Sequence, residues 1–101
     1  MIVLHAKLPI EPDRMDEARE LAADLVEQSN REAGMIDYRA TVDVTDEHTL
    51  RFFERYEDEA ALAAHNESDH FRAFEAKLPD LLGGEPEVLQ FEVSDVTELD
   101  L

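Results

Sequence analysis

Residues 35–56 read MIDYRATVDVTDEHTLRFFERY. Ile36, Tyr38, Ala40, Val42 and Val44 occupy every second position, with Asp37, Arg39, Thr41 and Asp43 between them. That period belongs to a strand with one buried face. Thr45-Asp46-Glu47-His48 is turn-like. A second alternation runs from Thr49 to Tyr56, with Leu50, Phe52, Glu54 and Tyr56 on one face and Arg51, Phe53 and Arg55 on the other. Two alternating runs around a short polar turn predict a β-hairpin.

The flanks extend this hairpin in both directions. Ile2, Leu4, Ala6 and Leu8 alternate with Val3, His5 and Lys7, which predicts a first strand over 2–8. Beyond Pro9 and Pro12, Asp13 is placed to cap a helix, with Asp16 near its positive end. Met15, Ala18, Leu21, Ala22, Leu25, Val26 and Ser29 follow helical spacing, and Gly34 fits a terminator. After the hairpin, Asp58 caps a short alanine-rich helix to about Asn66. Ser68 opens another, whose apolar stripe is Phe71, Phe74 and Leu78. Pro79 should end or kink it, and Gly83-Gly84 finishes the turn. A last strand follows Pro86, with Leu89, Phe91 and Val93 on one side and Val88, Gln90 and Glu92 on the other.

The order is β-α-β-β-α-β. With helices on one face of an antiparallel sheet, this predicts a two-layer α+β sandwich of the ferredoxin-like kind, with strand order 4-1-3-2 by analogy. A chain of 101 residues accommodates a single domain, taken as residues 1–101. The more apolar sheet face (Leu4, Ile36, Tyr38, Phe52, Leu89, Phe91) is expected under the helices. The other face gathers Lys7, Arg39, Arg51 and Arg55, four of the nine basic residues. It reads either as a solvated face with weak local ion pairs or as a self-complementary dimer surface. In the second case these cations meet Asp37, Asp43 or Glu92 of a partner, around Val3 and Phe53.

Composition narrows the partners. Asp and Glu number 26 against 9 Lys and Arg, a net charge of −17, which disfavours nucleic acid and anionic membranes. Hydrophobic residues still make up 44%, mostly in periodic segments, so the chain is read as folded rather than disordered. An acid-rich surface with only Lys7 and Lys77 resembles that of proteins from halophiles with molar internal salt. At about 1 M salt the screening length falls to about 3 Å, which relieves self-repulsion. An ordinary acidic cytosolic protein is the alternative. With no signal peptide or membrane span recognised, a cytoplasmic location is expected. The absence of cysteine excludes disulfides and thiol catalysis.

Residues 52–71, FFERYEDEAALAAHNESDHF, are similar to the signature of the antibiotic-biosynthesis-monooxygenase (ABM) family, which includes quinol monooxygenases. That signature reads Phe-x-Glu-x-(Trp/Tyr), an Ala-Leu pair, His, then Ser-x-His-(Phe/Met). Tyr56 stands where Trp is common. Glu32-Ala33-Gly34-Met35-Ile36-Asp37-Tyr38 also resembles the family's Glu-x-Gly-x-x-x-Tyr. The resemblance covers essentially the whole chain and implies a dimeric α+β barrel, a homodimer packed sheet to sheet. It also implies O2-dependent oxidation of quinols or other phenolic aromatics, often without cofactor.

Such chemistry needs a base that favours the phenolate, a dry pocket and a group to steady developing oxygen anions. Glu54, on the helix-facing side, is either a raised-pKa base or an acceptor for backbone N–H groups. Tyr56 is a pocket donor or a core aromatic, and Tyr38 shares its face. His65 is a proton acceptor or a helix-junction residue, and His70 opens the next helix. Asn66 contacts substrate or caps. Phe52 and Phe74 would hold the ring. His65 and His70 are separated by four residues with the Ser68 cap between, unlike His-Glu-x-x-His, so no metal is expected. In the family's haem-degrading members, the haem-ligating His falls at Glu75, the pocket Asn at Ala6 and the ring-packing Trp at His65, so that set is absent. No glycine-rich phosphate loop is present, and no cofactor is expected. The alternative to catalysis is a dimeric module that binds a small aromatic or a protein. A catalyst should converge at least two of Glu54, Tyr56, His65 and His70 on one cavity.

Overall fold

The computed structural model describes residues 1–101. Strand β1 (Ile2–Pro9) is followed by a 3-10 turn at Pro12–Arg14 and helix α1 (Met15–Ser29). The hairpin β2 (Met35–Asp43) and β3 (Asp46–Tyr56) comes next, then α2 (Glu59–Glu67), α3 (Asp69–Leu81) and β4 (Glu87–Glu92). All pairings are antiparallel and the strand order is β2-β3-β1-β4, the expected ferredoxin-like arrangement. The three helices cover one face, giving a slab about 21 Å thick.

The core lies between that face and the helices. Ala6, Leu8, Tyr38, Leu50 and Phe52 meet Ala18, Ala22 and Leu25 of α1 and Phe74 and Leu81 of α3. The small residues on α1 let that helix approach the sheet closely. Phe52 packs edge-on against both Tyr38 and Phe74, with ring centroids 5.9 and 5.8 Å apart.

Several local expectations change. Asp13 does not cap α1; it lies in the 3-10 turn, and Arg14 precedes the helix without a side-chain cap. Gly34 does take a left-handed φ of 81°, but it stands in the turn into β2, beyond the end of α1 at Ser29. The hairpin turns at Val44-Thr45, where Asp43 accepts from the Thr45 N–H at 2.8 Å, and β3 starts at Asp46. Pro79 stays within the last turn of α3, where the Leu82 N–H still reaches the Leu78 carbonyl at 3.0 Å. Asp58 and Ser68 cap α2 and α3 as expected, accepting from the Ala61 and Phe71 N–H groups.

The larger correction concerns the faces. Val88 pairs with Ala6 and Gln90 with Leu4, so these two residues share the helix side with Glu92, opposite Ile2. Leu89 and Phe91, opposite His5 and Val3, lie on the open face. Ile36 also leaves the core. A bulge between Met35 and Asp37 adds one residue to β2, and Met35 packs inward instead. Phe53, Leu89 and Phe91 are therefore 42, 46 and 47% exposed on one uncovered surface. Two of its cations are already paired within the chain, Arg39 with Asp37 at 2.8 Å and Arg51 with Asp43 at 2.7 Å.

Candidate functional site

Two polar clusters lie between the sheet and α2–α3. The first rises from β3, whose alternation sends Glu54 and Tyr56 inward with Phe52. Tyr56 is fully buried, and its hydroxyl donates to Glu54 Oε1 at 2.6 Å. Burial pushes the Glu54 carboxyl up to about 7; bonds from Tyr56 and Tyr38 oppose that shift, and the nearby Glu32 charge adds to it. Both phenols are pushed well above their ordinary value, first by burial and then by the Glu54 charge.

The second cluster joins three segments. Asn30 holds the turn after α1 against β2, accepting from the Tyr38 N–H at 3.0 Å and donating to its carbonyl at 2.9 Å. Gly34 lets α2 lie on this turn, because a Cβ there would stand 2.7 Å from the Ala61 Cβ. These contacts bring Glu32 under the α2–α3 junction. His65, 1% exposed, donates from Nδ1–H to Glu32 Oε2 at 2.8 Å. His70 Nε2 meets the same oxygen at 2.5 Å. A carboxylate only accepts, so Glu32 fixes the hydrogen of neutral His65 on Nδ1 and leaves a lone pair on Nε2. That Nε2 is buried and has no hydrogen-bond partner. Burial lowers the His65 pKa, with Glu32 pulling the other way. The ring is held among Tyr38, Tyr56 and Phe71, at centroid distances of 5.1, 5.6 and 4.9 Å.

A cavity of about 430 Å³ opens beside both clusters. Its wall is mainly apolar, from Leu4, Phe52, Phe71, Phe74, Leu78 and Val88, with polar groups from Tyr38, Glu54, His65, Asn66, Glu75 and Gln90. That composition suits a small aromatic molecule oriented by a few polar contacts.

Residues 1–77 match the family described as antibiotic biosynthesis monooxygenase. The chain belongs to that family. It is 37% identical over 95 residues to the Bacillus subtilis (strain 168) protein named "Putative monooxygenase YcnE", covering 94% of this chain and 100% of that one. The structure of an antibiotic biosynthesis monooxygenase superposes with a TM-score of 0.87 at 25% identity, covering 94% of this chain and all of the other. A conserved protein from Methanosarcina mazei Go1 gives 0.86 at 29% identity, with 92% of each chain covered.

Within this ABM domain, the cavity brings together six of the eight residues singled out from sequence: His65, Glu54, Tyr38, Asn66, Phe52 and Phe74. Tyr56 lies behind the wall and acts on it through Glu54. His70 lines a separate hollow with Phe74 and Lys77. Asn66 is not a cap, since Ser68 closes α2. Two polar residues escaped the sequence reading. Glu32 had a place only in the Glu-x-Gly pattern, with no role attached. Gln90 faces the helices, opposite Leu4, whereas its alternation predicts the uncovered face.

Proposed function

We propose that the chain is a homodimeric, cofactor-independent monooxygenase that oxidises a quinol or related phenolic aromatic with O2. His65 is the base. Its Nε2 takes the phenolic proton, and the resulting phenolate gives an electron to O2. A quinol carries its own reducing electrons, so quinol plus O2 yields a hydroxyquinone plus water without an external reductant. Glu54, titrating near neutral pH, is placed to exchange a second proton, and the apolar wall keeps water from the reacting pair. Tyr38 and Asn66 orient the ring against the wall that Phe52 and Phe74 form together.

The observation that carries this reading is that His65, its tautomer fixed by Glu32 and its buried Nε2 left without a partner, lines an apolar cavity together with Glu54. A non-catalytic module would scatter these groups into caps and leave no unpartnered base. The haem positions support the same choice: Ala6, His65 and Glu75 all line the cavity, yet none supplies the haem-binding side chain of that set.

The uncovered sheet face supports the dimer. Phe53, Leu89 and Phe91 stand 42, 46 and 47% exposed there. Phe53, Leu89, Phe91 and Val3 would meet their counterparts, with Lys7 and Arg55 the basic side chains outside the intrachain pairs. No helix is long and apolar enough to cross a membrane, and we place the protein in the cytoplasm. The test is oxygen uptake with a panel of reduced quinones in molar KCl. Wild type should exceed the chemical blank and His65→Ala should fall by about 10²-fold or more. Binding of the quinone without uptake would instead establish a ligand-binding module.

A further inference from the structure

We propose that Glu32, His65 and His70 form a binding site for one divalent transition-metal ion of the zinc class. The three donor atoms (Glu32 Oε2, His65 Nδ1 and His70 Nε2) lie within 4.8 Å of one another. They come from the turn before β2, from α2 and from α3, so the fold rather than the local sequence assembles them. Both imidazole nitrogens aim at one point, now filled by the Glu32 oxygen at 2.8 and 2.5 Å. An ion at that point needs contacts of about 2.0–2.2 Å. A rotation of the Glu32 side chain away from the point, with a small inward movement of the rings, would supply them. Glu32 stands on a surface turn, and its side chain and that of His70 are 14 and 16% exposed. The ion therefore has a way in, and water can complete its coordination. Two imidazoles and one carboxylate suit Zn2+, Co2+ or Ni2+, and leave Mg2+ and Ca2+ short of the oxygen ligands they require.

The site was hidden in the sequence because His65 and His70 alone do not make a metal pattern. The third ligand lies 33 positions before His65. Occupancy would also change the cavity. A metal on His65 Nδ1 moves the ring's hydrogen to Nε2, turning that atom from acceptor to donor. This consequence rests on the proposed reaction; the binding itself does not.

Isothermal titration with Zn2+ in 1 M KCl, where diffuse attraction to the acidic surface is screened, tests the binding. One Zn2+ per chain is expected, unaffected by a tenfold excess of Mg2+. His70→Ala and Glu32→Gln should each weaken it at least tenfold, and His48→Ala should leave it unchanged. Imidazole 15N spectra of the wild type read the same site without relying on variant folding. Zn2+ should shift His65 Nδ1 and His70 Nε2 and leave His5 and His48 in place. Absence of one-to-one binding, or shifts confined to His5 and His48, would overturn the site. A zinc-bound protein should show oxygen uptake at least tenfold below the chelated one. Binding with unchanged uptake would overturn the tautomer coupling, and binding where neither form takes up oxygen would uphold the site while removing the proposed reaction.

Discussion

Glu54 is a carboxyl group kept in an apolar cavity wall, and its burial makes stability depend on pH. Its folded value of about 7 lies above the ordinary 4.5, so the folded state holds a proton that the unfolded state has lost between those values. The contribution is complete below about 4.5 and disappears as pH rises through 7, to a total on the order of 3 kcal/mol. Neutral, buried His65 has the opposite sign, destabilising the fold as pH drops through the ordinary histidine range. Glu54→Gln retains an acceptor for Tyr56 and removes the titration. Denaturant midpoints from pH 5 to 8 should show the variant gaining on wild type as pH rises. A constant difference would place Glu54 in water. The inward position of Glu54 was legible because strand alternation is local. The tie from His65 to Glu32 was not, since it spans 33 residues and depends on how the 30–34 turn closes.

At the scale of elements, the turn from Asn30 to Gly34 decides where His65 points. Gly34 combines a φ of 81° with the 2.7 Å approach of the Ala61 Cβ. Gly34→Ala is therefore both strained and clashing, and should destabilise by roughly 2 kcal/mol, read as a lowered urea midpoint. An unchanged midpoint would mean that α2 does not rest on this turn. The Asp58 and Ser68 caps were readable because each acts over three residues. The facing of β4 was not, because both of its phases carry apolar residues: Val88 on one, Leu89 and Phe91 on the other. Only the register against β1 decides between them. Ile36 misled for a related reason, since alternation assumes an unbroken ladder and β2 carries a bulge there.

For the whole molecule, charge and shape make separate predictions. A net charge of −17 repels itself in dilute buffer. The melting temperature should rise steeply between 0.1 and 2 M KCl, and a flat response would remove the halophile reading. Phe53→Glu with Phe91→Glu should convert a light-scattering mass of a dimer to that of one 11.5 kDa chain. An unchanged mass would move the interface elsewhere. The acidic residues were legible as composition, but the apolar character of the open face emerged only once β4 was paired. The proposed reaction splits O2 between substrate and water in the cavity beside His65. Mass spectrometry of the hydroxyquinone formed from the quinol under 18O2 tests it most directly. One 18O atom in the product, lost together with turnover in His65→Ala, is the expected result; a product without 18O, or hydrogen peroxide released one for one with quinone, would contradict it.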